Sequence, residues 1–260
     1  MTYFSREDHT AVLAFAMGSA HGSHNVERLH RRMSDIHRKL QARFKTHGIS
    51  LSTCQNIPGG VSQHSAASPF DDEEVMTITY MRPHGDATTV ERMMGREGVN
   101  LDAEIEPRRH PVIELRISPE YFAIELIIGP DAWHDQRNFS GKMTVAEHQH
   151  GFFHLLANMD PDYVVGFWSG IYPDDQMYLT TSQLPPLRIF NEFMSTFAAG
   201  RDYLRIGRWY EAGDDALDED GIVNEVFSRV RDLYTLYDFA LWSSNNNFQT
   251  FYQREVVERR

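Results

Sequence analysis

Between His110 and Trp133 the chain alternates with period two on both sides of Pro119-Glu120, and a β-hairpin is the regular structure that gathers its apolar residues on one side. With Pro119 and Glu120 as the turn, Ser118 faces Tyr121, Arg116 faces Ala123 and Glu114 faces Glu125. Ile113, Leu115, Ile117, Phe122, Ile124, Leu126 and Ile128 then share the opposite face. A slip of one residue would set apolar side chains of one strand beside glutamates of the other, so the alternation fixes the register. A slip of two keeps the faces but moves the carboxylates onto a diagonal. Like charges directly opposite each other cost from a few tenths to about 1 kcal/mol, which calls for compensation by Arg116, another cation, a metal ion or a shared proton. An arginine between Glu114 and Glu125 makes this face scaffold, and a metal makes it a site.

At 260 residues and 41% hydrophobic the chain has the material for a large core. Its formal charge of -12 argues against nucleic-acid binding through overall charge, because phosphate neutralisation needs a dense positive footprint. Three lysines, Lys39, Lys45 and Lys142, stand against twenty-two arginines, a ratio that codon bias in a GC-rich genome explains as well as selection for bidentate donors does. The single cysteine, Cys54, excludes an intrachain disulfide and fits a reducing, cytoplasmic setting. Residues 11–20 are apolar but lack a positive flank, and Ser5 with Asp8 reads as a helix cap, so this run is expected to be an amphipathic helix rather than a leader. No apolar stretch reaches the ~20 residues that cross a bilayer.

The pattern predicts an α+β fold with a mixed or mainly antiparallel sheet, a central β-hairpin at about 111–128, several packing helices and a long C-terminal helix. Three segments follow: an N-terminal helical part over 1–52, a Pro/Gly/Ser-rich loop or linker over 53–74, and a main α+β part over 75–260. From Asn25 to His47 apolar residues recur at steps of three and four, and the other face carries Arg28, Arg31, Arg32, Arg38, Lys39, Arg43 and Lys45. This basic face of 25–47 either pairs with the protein's own acidic groups or meets an acidic partner or a phosphate, and it is the one expected route to nucleic acid. Strands are expected over 75–82, 163–168, 177–181 and 203–210, with helices over 88–97, 144–158 and after Pro186. One apolar stripe from Val223 to Phe251 predicts a helix of some thirty residues, which Asn245-Asn246-Asn247 would break.

Candidate chemistry gathers in three places. Glu114 and Glu125 suit an acid–base pair if burial separates their protonation, or a divalent ion. Glu147, His150 and His154 stand at i,i+3 and i,i+4 spacing on one helical face, beside His148. That is a partial ligand set for Zn, Mn or Mg which a hairpin glutamate or His134 would complete, although the general-base glutamate of a zinc-protease helix is absent. Arg205 and Arg208 are a candidate carboxylate or phosphate clamp, yet a separation of three puts them on opposite faces of a regular strand. The polar run Trp133 to Asn138 beyond the second hairpin strand is a reasonable part of a site. Walker, GxGxxG and GxSxG motifs are absent.

The expected function is therefore a binding or assembly module, meeting a protein partner or a second copy through the aromatic C-terminal helix, where Tyr234, Phe239 and Trp242 lie off the main stripe. The alternative is a metal-dependent hydrolase of phosphate-ester type built on the hairpin glutamates and the helix histidines.

Overall fold

The computed structural model describes residues 2–16, 24–53, 58–69, 74–96, 105–173 and 178–248. The expected α+β architecture is present, and every strand pairing is antiparallel. The helices are α1 (Arg6–Ala16), α2 (His24–His47), α3 (His84–Met93), α4 (Trp133–Lys142), α5 (Ala146–Ala157), α6 (Leu187–Met194) and α7 (Ile222–Ala240). The strands are β1 (Ser52–Thr53), β2 (Met76–Met81), β3 (Val112–Ile117), β4 (Tyr121–Ile128), β5 (Val164–Phe167), β6 (Tyr178–Thr180) and β7 (Leu204–Glu211). They form one seven-stranded sheet in the order β1-β2-β3-β4-β7-β5-β6.

The hairpin has the expected register: Glu114 pairs with Glu125, Arg116 with Ala123 and Ile117 with Phe122, and the Ser118 amide donates to the Tyr121 carbonyl. Its seven apolar residues are fully buried in the main core, with α7 packed on both strands and α2 packed on α7. At roughly 1.5–3 kcal/mol for each buried aliphatic or aromatic side chain, that face far outweighs the ~1 kcal/mol of opposed carboxylates. Residues of α1 and α2, including Val12, Leu29, Met33 and Leu40, belong to the same core as Ile78, Ile124 and Leu233. Ser5 and Asp8 cap α1 reciprocally, Asp8 accepting from the Ser5 amide at 2.8 Å and Ser5 Oγ from the Asp8 amide at 3.3 Å.

The other face of the sheet is also buried. A smaller cluster of Ala66, Ala67, Met81, Ala87, Ile105, Val112, Ile127 and Tyr203 covers part of it. Backbone from Ser65–Ala66 and Trp168–Ile171 covers its charged centre, so the glutamate face lies under a lid of loops instead of in solvent.

Two elements depart from the expected pattern. The polar run Trp133 to Asn138 opens α4, a helix without an apolar stripe, in which Asp135, Gln136, Asn138 and Lys142 are buried. Their polar atoms serve distant backbone: Gln136 Nε2 donates to the carbonyls of Ile128 and Asp202 at 3.1 and 2.8 Å. The long C-terminal helix stops at Ala240, short of the expected thirty residues. Its last carbonyls leave the helical ladder for side chains: Asn138 Nδ2 binds those of Ala240 and Leu241, Lys142 Nζ that of Phe239, and Asn246 Nδ2 those of Asp238 and Leu241. Phe251 and Tyr252, like Cys54, lie outside the described residues.

Candidate functional site

At the centre of the sheet Glu114, Arg116, Glu125 and Arg205 form a fully buried quartet of alternating charge. Arg116 Nη1 donates to Glu114 at 2.8 Å while Nη2 donates to Glu125, and Arg205 grips the second Glu125 oxygen through Nε at 2.9 Å and through Nη2. The remaining valences are filled. Glu114 accepts from Ser65 Oγ at 2.6 Å, the Ala66 amide at 2.8 Å and Thr79 Oγ1 at 3.3 Å. Arg116 and Arg205 donate onward to the carbonyls of Ile171 and Gly170, at 2.9 and 2.8 Å. Two guanidiniums thus stand where an acid–base pair or metal site would need an open carboxylate. The arrangement clamps the covering loops to the sheet, and a buried pair of this kind is expensive to break even where it adds little net stability.

Arg208 does not join Arg205. It points to the helix-bearing face, 3.2 Å from Asp162 and 3.3 Å from Glu225, so the proposed anion clamp is split by the sheet. Glu147, His150 and His154 share one exposed face of α5, opposite the buried Phe152 and Leu156, and neither hairpin glutamate is exposed to reach them. Among the described residues, no three His, Cys, Asp or Glu side chains converge as a metal-holding group. The basic face of α2 meets the protein's own acids: Arg28 and Arg32 hold Asp8 at 3.0 and 3.2 Å, and Arg38 and Lys39 hold Asp35 at 2.5 and 2.6 Å.

The off-stripe aromatics of the C-terminal segment pack inward. Tyr234 stacks on Tyr237 with ring centres 5.8 Å apart, Phe239 meets Phe152 at 5.3 Å, and Trp242 meets His134 at 5.5 Å. All three are partly buried, and none belongs to the exposed large hydrophobics among the described residues.

A second charged assembly lies where β2, α3 and α4 meet. Arg82 is buried against Asp135 and donates to the Trp242 carbonyl at 3.0 Å, while Asp135 accepts the Trp242 amide at 2.6 Å. Nearby, His110 Nε2 stands 3.6 Å from Glu91 Oε1, beyond hydrogen-bond length, and both residues are buried. Burial holds the His110 imidazole below its ordinary value, with Glu91 opposing and the Arg82 charge adding. For Glu91 burial pulls upward, but His110 and Arg96 outweigh it and hold the carboxyl low. Of these groups only Asp135 belongs to the polar run singled out in the sequence. Arg82, Glu91 and His110 carry no local motif, and their meeting depends on the sheet.

His134 links this assembly to the surface. Its imidazole lies near the Met93 backbone and packs edge-on against Trp133, whose indole lies 4.7 Å from the Arg137 guanidinium. Met93 and Trp133 are 51% and 46% exposed, the highest values among the large hydrophobics described. No protein-family model matches the chain, and no curated protein is recognisably similar to it. No helix among the described residues is long and apolar enough to cross a membrane.

Proposed function

We propose that the chain is a cytoplasmic binding or assembly module, and that it meets a protein partner or a second copy of itself at the edge formed by Met93, Trp133 and Arg137. The observation that carries this reading is the exposure of both Met93 and Trp133 beside His134. Four large hydrophobics are exposed among the described residues, and His134 lies beside the backbone of one, Met93, and the ring of another, Trp133. Single exposed apolar residues are ordinary. An exposed methionine and an exposed tryptophan on either side of one imidazole, with an arginine over the indole, have the composition of an interface centre. The buried Arg82–Asp135 and His110–Glu91 groups beneath would hold that surface in a fixed shape.

The metal-dependent hydrolase reading has less support, since arginines occupy the two hairpin carboxylates and the α5 ligand set projects away from them. The test is sedimentation velocity over a wide concentration range, together with affinity capture from host extract, on the wild type and on Trp133→Ser and Met93→Ser. Both surface changes are expected to leave the melting temperature in place and to abolish self-association or the captured partner. A strictly monomeric wild type whose captured proteins are unchanged by both substitutions would overturn the reading.

A further inference from the structure

Of the five lysine and arginine side chains buried among the described residues, Arg82, Arg116, Arg205 and Arg229 are arginines and Lys142 is the lysine. Arginine carries more donors and would cap helix carbonyls equally well. What distinguishes the buried lysine is that an amine, unlike a guanidinium, can lose its proton when desolvated.

Lys142 ends α4 beside a groove of about 360 Å³ that His148, Asp238, Phe239 and Asn246 also line. This groove is open rather than an enclosed cavity. Lys142 Nζ donates to the Phe239 carbonyl at 2.6 Å and to Asn246 Oδ1, and lies 4.8 Å from the centre of the Phe239 ring. The residue is 6% exposed. Burial pushes its ammonium down to about 8, with the Asp238 charge opposing. Two acceptors hold it, and a neutral amine retains two N–H donors, so the cap survives deprotonation while a lone pair is released.

We propose that Lys142 is a nucleophilic lysine that forms an imine with a small aldehyde taken up in this groove. After the ammonium gives a proton to solvent, Nζ adds to the carbonyl carbon and the C=O π pair moves to oxygen. Proton transfer from nitrogen to oxygen gives the carbinolamine. A further proton on that oxygen lets water leave with the C–O bonding pair, and the protonated imine remains on Nζ. No oxidant or reductant takes part, and desolvation of the amine is an established route to such reactivity.

The chain itself supplies the controls, since Lys39 and Lys45 complete its lysines. Full-length protein at pH 7.5 is exposed to limiting propanal with cyanoborohydride, which traps any imine as the propyl-amine, and each lysine is quantified by peptide mass spectrometry. An amine titrating at about 8 is ~25% neutral at that pH, against ~0.1% for an ordinary lysine. Lys142 is expected to alkylate at least about 10-fold faster than Lys39 and Lys45, and to lose that advantage both at pH 10.5 and in concentrated urea. Labelling of Lys142 no faster than the other two at pH 7.5, or an advantage that persists in urea, would overturn the proposal. Both readouts use the wild-type chain, so neither depends on a variant that folds.

Discussion

Gly207 of β7 lies directly across from Glu125 of β4, and a methyl group on the glycine would stand 2.6 Å from the Glu125 side chain and 2.7 Å from the Ile124 carbonyl. The glycine is therefore part of the charge quartet without carrying a charge, since it leaves the space in which Glu125 turns toward Arg205. Gly207→Ala is expected to cost ~1–3 kcal/mol through overpacking alone. Urea denaturation would show it as a lower midpoint at unchanged slope.

Removing one member of the quartet should cost more than crowding it. Arg116→Met leaves Glu114 and Glu125 opposed without the cation between them, and a loss of ~3–5 kcal/mol is expected. Adding Glu114→Gln to that variant should recover part of the loss, because Arg205 still holds Glu125 while Glu114 is the carboxylate left without a cation. A double-mutant cycle on the two positions measures the coupling, and simple additivity would count against a shared network.

Acid stability should follow the histidines first. Burial, with Arg82 adding and Glu91 opposing, holds His110 below its unfolded value of 6.5, and burial displaces His9, His37 and His134 in the same direction. As pH falls through 6.5 the unfolded chain takes up protons that the folded chain refuses, so stability declines on the acid side. Asp8 and Glu91, held low, add their loss only below their unfolded values of 3.8 and 4.5. Melting temperatures measured between pH 8 and 5 should fall with decreasing pH, and His110→Gln should flatten that slope. A wild-type profile level across this range would contradict it.

Asn138 joins α4 to the end of α7. Its amide donates to the carbonyls of Ala240, Leu241 and Asn246 at 3.1–3.2 Å, and its Oδ1 accepts from the Phe248 amide at 2.7 Å. Asn138→Ala orphans these buried groups and should cost roughly 1–3 kcal/mol. Hydrogen exchange should accelerate over residues 238–248 while the protection of β3 and β4 is retained.

These residues also mark how far the sequence was legible. The hairpin register could be read because period-two alternation and a two-residue turn are local, and they leave one register that buries the apolar face. The partner of Glu125 could not, because Arg205 lies 80 residues away and its side of the strand is set by pairing with β4. α4 escaped notice for a related reason: Asp135, Gln136 and Asn138 are polar residues in buried positions, satisfied by backbone far along the chain, so no apolar stripe betrays the helix. The stripe of α7 ran on through Ser244 and Phe248, but Asn138 and Lys142 stop the helix from outside it. The metal-like spacing on α5 is one helical face, and the fold turns that face outward.

The quartet also imposes an order on synthesis. Glu125 leaves the ribosome 80 residues before Arg205, an interval of roughly 4–16 s at ordinary elongation rates. Throughout that interval the hairpin has its apolar face and Arg116, but one oxygen of Glu125 has no cation to meet. Covering the charged face of the hairpin would then bury that oxygen unpaired, so the glutamate face stays wet until β7 pairs with β4 and brings Arg205. A chain interrupted before Arg205 would carry its own reason not to close.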